Sequence, residues 1–248
     1  GILIVLPILV FLGGLVDTAF RGNLSLSAHL ILSVVGVLAL LVAAVVSAFH
    51  VSGPAVGAVQ ELNDSWLDGL ISWLRDVQGT VLATAVMEHA LIASVIGIIA
   101  GLYFWAPKIF GYQLNRNVGI LSALTLLGGL ALSGGSNIIN GILDEGDEVY
   151  HSSAYEGVWD TNAVEFFNIV GAIGSLLLLA GVGLVILDLT ISVILRKGND
   201  ENAKDPWGGH TLEWATDSPP PTGNFTDAPV VDNERPLLFP AATGGDEQ

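Results

Sequence analysis

The chain has 248 residues, 52% of them hydrophobic and 13% charged, with 8 Lys and Arg against 24 Asp and Glu for a formal net charge of −16. A soluble domain carries about 25% charged residues, so a mean hydropathy of +0.65 with apolar residues in long blocks points to an all-α, polytopic transmembrane bundle. The acidic balance argues against nucleic acid as a partner, and the absence of Cys excludes disulfides, thiolate ligands and a redox-active thiol pair.

Five spans are predicted. The first is Gly1 to Phe20, with Asp17 and Arg21 at its exit. The chain opens there inside a hydrophobic run, without Met or a basic n-region, which is unlike a signal peptide and reads as the interior of a longer protein. The second runs from Ala28 to Phe49. The third, Thr80 to Phe104, is followed by a turn at Trp105-Ala106-Pro107-Lys108. Its 25 residues would extend roughly 37 Å as a helix, enough to cross a hydrocarbon core of about 30 Å. It carries an adjacent acid and imidazole, Glu88-His89, in otherwise apolar or small surroundings. Such groups are costly in lipid and are expected to face protein or cofactor.

The fourth span, Val118 to Leu143, holds Gly128-Gly129 and Ser133-Gly134-Gly135-Ser136, small side chains that let helices approach closely. The fifth runs from Val164 to Leu195. Without water in the bilayer core each span must satisfy its own backbone, so all are helices. Arg21, Lys108, Arg116, Arg196 and Lys197 fall on one side by parity and Arg75 on the other, which puts the C-terminus inside and the acidic loops 50–78 and 144–162 outside. In the first of those loops Trp66, Leu67, Leu70, Ile71, Trp73 and Leu74 recur near helical spacing, so an amphipathic segment is expected over 60–76, on the membrane interface or over the bundle. Beyond Lys197 the composition turns polar. The expected division is a bundle over 1–197 and an extended tail over 198–248, ordered where Trp207, Leu212 and Trp214 can dock.

Several colinear segments carry a resemblance. Phe104-Trp105-Ala106-Pro107-Lys108 is followed by Gly111-Tyr112-Gln113-Leu114-Asn115 and Gly119. Phe167-Asn168 leads to Ile173-Gly174-Ser175, and the tail reads Asp205-Pro206-Trp207-Gly208, Thr211-Leu212-Glu213-Trp214 and Ser218-Pro219-Pro220-Pro221. Together these resemble the last five transmembrane helices and the C-terminal signature of subunit I of the haem–copper respiratory oxidases, the cytochrome c oxidase family. The resemblance implies an integral protein of the bacterial cytoplasmic membrane, working among other oxidase subunits. There a cytochrome c-type donor reduces dioxygen and protons are translocated.

The resemblance also implies haem, held by a His-x-His on the third of these spans. Counted back from Pro107, those positions are Ala85 and Met87. Met87 could offer a thioether to haem iron, with core packing as its ordinary role. His89 lies two residues, about 200° of helix, from the nearer position. Met87 and His89 are therefore the candidate cofactor-binding residues, and the alternative for His89 is a hydrogen bond to Glu88 or to a Ser or Thr on a neighbouring helix. The family's Arg pair toward the haem propionates falls on Asp147 and Glu148, and the loop 50–78 is longer than its counterpart. The family's copper ligands belong to helices outside this chain. Three functions follow: an oxidase subunit I-like component, a haem-free structural or assembly subunit, or an ion path through Glu88, His89, Asp17 and Asp188.

Overall fold

The structure is a computed structural model that describes residues 2–22, 25–57, 80–143, 161–195 and 205–225, with the single positions 229, 231 and 233. The expected amphipathic segment at 60–76, Asp147, Glu148 and the 197/198 boundary lie outside the described residues. Five long helices form the fold: α1 (Ile2–Arg21), α2 (Ala28–Gly57), α3 (Leu82–Phe110), α4 (Arg116–Ile142) and α5 (Thr161–Leu195). Four of them are long and apolar enough to cross a bilayer, over Ala28–Ala48, Leu82–Phe110, Arg116–Ile142 and Asn162–Ile194. No strand element occurs among the described residues.

Two boundaries differ from the sequence expectation. α2 continues past Phe49 to Gly57. Trp105-Ala106-Pro107-Lys108 is no turn but the last part of α3. A proline this close to a helix end disturbs little of the ladder beyond it. The stop comes at Gly111, whose φ of 77° suits a residue without Cβ and whose N–H bonds the Pro107 carbonyl at 2.9 Å. α4 then starts on Asn115, whose side chain accepts from the N–H groups of Asn117 (3.0 Å) and Val118 (3.4 Å).

The helices form two tight pairs. α2 meets α3 through Leu32, Val35 and Ala39 against Ala93, Ile96 and Ala100, all buried. α4 meets α5 through a buried series at alternating spacings of four and three: Ser122, Leu126, Gly129, Ser133, Ser136 and Asn140. Here the small residues of the fourth span act as expected, though only in part. A Cβ on Gly129 would lie 2.8 Å from the Leu178 backbone N and 2.9 Å from the Gly174 carbonyl, whereas Gly128 and Gly135 have open space. The Ser122 hydroxyl donates across to the Gly181 carbonyl at 2.8 Å. α3 and α4 join the pairs, and at Gly119 a Cβ would come within 2.6 Å of both Ala28 and the Tyr103 ring. α1 rests on α2, with Val10 and Phe20 largely exposed.

The tail docks on the end of α3. Trp207 donates its indole N–H to the Phe104 carbonyl at 3.0 Å. Its ring stacks on Phe104 (centroids 6.0 Å), and Trp214 stacks on Trp105 (5.7 Å, 7° between planes). Lys108, only 6% exposed, runs beneath them. Its ammonium donates to the Thr216 carbonyl (2.8 Å) and hydroxyl (3.2 Å) and lies 5.5 Å from the Trp214 ring centre. The expected ordering of the tail around Trp207, Leu212 and Trp214 thus has a cause: a cation buried at a helix end takes tail oxygens as its acceptors.

Candidate cofactor site on the third helix

Consecutive residues on a helix point about 100° apart, and Met87, Glu88 and His89 accordingly face three different surroundings. Met87 is 66% exposed on the outside of the bundle, so its ordinary role here is not core packing. Ala85, the other position the resemblance assigns to iron, is fully buried. His89 is 4% exposed and its Nδ1 lies 2.8 Å from the Ala85 carbonyl, one turn back on its own helix. A carbonyl only accepts, so Nδ1 carries the proton and Nε2 the lone pair. The imidazole brings its Cε1 edge against α4 where Gly134 has no side chain: a Cβ there would sit closest to Cε1, then 2.7 Å from Nδ1 and 3.0 Å from Nε2. The expected bond to Glu88 or to a neighbouring hydroxyl is replaced by one to the helix backbone.

That arrangement does not fit a porphyrin on His89. The ring is 4% exposed and its Cε1 edge fills the space over Gly134, where α3 meets α4. Met87, 66% exposed, borders an open cleft that offers no imidazole. No group of three His, Asp or Glu side chains converges among the described residues.

Glu88 faces between α4 and α5. Its Oε2 accepts from the Asn137 amide at 2.8 Å, and its Oε1 is hydrogen-bonded to the Ser133 hydroxyl. Ser133 in turn is 3.1 Å from the Ser175 hydroxyl on α5. An open cleft of about 560 Å³ adjoins the carboxyl, with Met87 and Leu91 on its rim. Glu88 is legible in the sequence as an intramembrane acid, but these partners are not. The legible signal was the recurrence of Ser133, Ser136, Asn137 and Asn140 at intervals of three and four, a polar stripe on a span that lipid would otherwise exclude.

The remaining ionisable groups do not join Glu88 in a path. Asp17 pairs with Arg21 on the exposed surface of α1 at 2.9 Å. Asp188, buried on α5, accepts from the Tyr103 hydroxyl (2.8 Å) and the Asn115 N–H (3.0 Å), tying α5 to the junction of α3 and α4. Asp188→Ala leaves the buried Tyr103 hydroxyl unsatisfied and releases the Asn115 N–H, which is at an exposed position. It is expected to cost about 2–3 kcal/mol in all, chiefly for the orphaned hydroxyl, read as a lower thermal unfolding midpoint in detergent; Asp188→Asn recovers part of the loss.

No protein-family model matches the chain. Curated sequences do. It is 32% identical over 145 residues to cytochrome c oxidase subunit 1 of Alkalihalophilus pseudofirmus, covering 58% of this chain and 22% of that protein. Against cytochrome c oxidase subunit 1 of Bacillus subtilis the identity is 30% over 167 residues, covering 66% and 25%. Against cytochrome bo(3) ubiquinol oxidase subunit 1 of Buchnera aphidicola it is 27% over 166 residues, covering 62% and 23%. The chain thus spans about a quarter of the length of the curated relatives it matches. With its membrane-spanning helices and this kinship, it is an integral membrane protein and a divergent relative of part of subunit 1 of the haem–copper respiratory oxidases.

Proposed function

We propose that the chain serves as a subunit 1-like membrane component of a respiratory cytochrome c oxidase complex, a fragment or divergent copy whose α3 supplies no ligand to haem iron. The observation that carries this is the place of His89, pressed onto Gly134 and bonded to Ala85, while the position expected to hold an imidazole is a buried methyl. Haem, when present in such a complex, supplies the electron transfer to dioxygen. The residues of this chain hold the helix pairs and the docked tail against which other oxidase subunits assemble. The outward apolar side chains Met87, Leu91 and Ile98 on α3 and Ile173, Leu176 and Leu179 on α5 suit lipid or neighbouring helices. Kinship with oxidase subunits of Alkalihalophilus pseudofirmus and Bacillus subtilis favours the bacterial cytoplasmic membrane, and the distribution of Lys and Arg favours the tail on its inner face.

A haem-free structural or assembly subunit is the form of this function that the α3 geometry favours. The test is a pyridine haemochrome assay and a reduced-minus-oxidised spectrum on the complex purified from membranes. The parent chain, Met87→Leu and His89→Ala are expected to give the same haem content per complex and the same spectrum. A haem stoichiometric with this chain that is lost or spectrally shifted in either variant would overturn the proposal.

A further inference from the structure

We propose that the groove between α1 and α2 is a binding site for one anionic phospholipid, with an acyl chain lying in the groove and the phosphate against Arg116. This goes beyond the oxidase reading and does not depend on it. The groove measures about 1010 Å³. One wall is α1 from Gly22 back to Phe11, the other is α2 from Leu30 to Leu38, and Leu127 of α4 adds to the lining. Thr18 carries the one hydroxyl in that lining, and it donates to the Gly14 carbonyl on its own helix at 2.8 Å. The side-chain surface left to an occupant is therefore hydrocarbon. Gly14 keeps the groove open, since a Cβ there would meet nothing within 4 Å.

Length selects a lipid chain over a helix. From Gly22 to Phe11, α1 rises about 16 Å, half of a hydrocarbon core of about 30 Å. A partner's transmembrane helix needs a seat along the whole core, whereas a groove from one interface to mid-depth has the reach of one leaflet. The shallow end lies at an interface, because the apolar spans of α2 and α4 both begin there, at Ala28 and Arg116. Leu26 lines that end, and its carbonyl accepts from the Nε (3.0 Å) and Nη2 (2.6 Å) of Arg116. The guanidinium is thus held beside the mouth with donors to spare, since it has five. Charge selects an anionic headgroup. Arg21 is matched by Asp17 at 2.9 Å, but exposed Arg116 has no carboxylate partner among the described residues. Neither α2 nor α4 carries an acid in its first turn. Those charges leave the mouth positive in a chain whose total is −16, and a planar guanidinium is matched to phosphate.

The probe is phosphatidylglycerol with a photoactivatable diazirine on its acyl chain, compared with phosphatidylcholine carrying the same chain. The whole protein is reconstituted into phosphatidylcholine vesicles containing a trace of either lipid and irradiated, and the adducts are located by mass. Adducts are expected on the groove residues of α1 and α2, about fivefold more with phosphatidylglycerol, the preference that one guanidinium near the surface gives an anionic headgroup. Arg116→Gln is expected to bring the two lipids to equal yield, and Arg116→Lys to keep most of the difference. Gly14→Leu fills the groove without meeting a neighbour, so it is expected to lose the groove adducts with both lipids while its unfolding midpoint stays at the parent value. Gly183→Leu on α5, which also meets nothing, is the control expected to keep them. Equal yields from the two lipids in the parent would identify ordinary boundary lipid and overturn the proposal. So would adducts retained in Gly14→Leu, or a groove left unlabelled because another helix fills it.

Discussion

Gly174→Leu is expected to prevent the α4–α5 pair from forming. A Cβ at this position would lie 2.7 Å from the Gly129 carbonyl and 2.8 Å from the Leu132 carbonyl carbon, with the Ser133 nitrogen closer still. These are backbone atoms of a continuous helix, so no rotamer change relieves the clash and the two helices must separate along their length. Overpacking against mobile side chains costs about 1–3 kcal/mol. Here the separation would also remove the Ser122–Gly181 bond and the Ser133–Ser175 contact. We expect a loss above about 3 kcal/mol, seen as failure of the protein to accumulate in the membrane or as a collapse of its unfolding midpoint. Gly183→Leu, on the same helix but with nothing within 4 Å, is the control expected to leave both unchanged.

Lys108→Met is expected to release the tail. The substitution keeps the apolar stem and deletes the ammonium that donates to Thr216 and lies below Trp214. Two effects add. The Thr216 carbonyl loses a charge-assisted bond, costing about 2 kcal/mol, and the cation–π contact contributes roughly 1 kcal/mol more at a partly desolvated ring. The opposing cost of ordering a polar segment is large, so a loss of this size is enough to free it. Chymotrypsin is expected to cut after Trp207 or Trp214 in Lys108→Met and to leave the parent intact. Lys108→Arg, which keeps the charge, is expected to lie between them. A variant as resistant as the parent would show that the aromatic stacks suffice.

The contrast between these two sites explains what the sequence made legible. Spans are a property of local composition, and the five hydrophobic blocks mapped onto five helices because lipid leaves the backbone no other way to satisfy itself. The extent of α3 beyond Phe104 was misjudged because Pro107 reads as a breaker. The helix nevertheless runs through it until Gly111 provides the left-handed stop. The fate of the Glu88-His89 pair was out of reach for a different reason. Whether His89 meets a cofactor or a helix depends on Gly134, 45 residues later, and the partners of Glu88 come from α4 and α5. Neighbours in sequence became residents of separate environments, and only the angular step between them was readable in advance.

The docked tail sets an order of events during synthesis. Trp207 bonds a carbonyl 103 residues earlier and Lys108 a hydroxyl 108 residues later. The ribosome must therefore release all of α5 before either bond can close. Until then the aromatic surface at Phe104 and Trp105 is uncovered by Trp207 and Trp214. Closure of the tail over it is the step that marks a finished molecule.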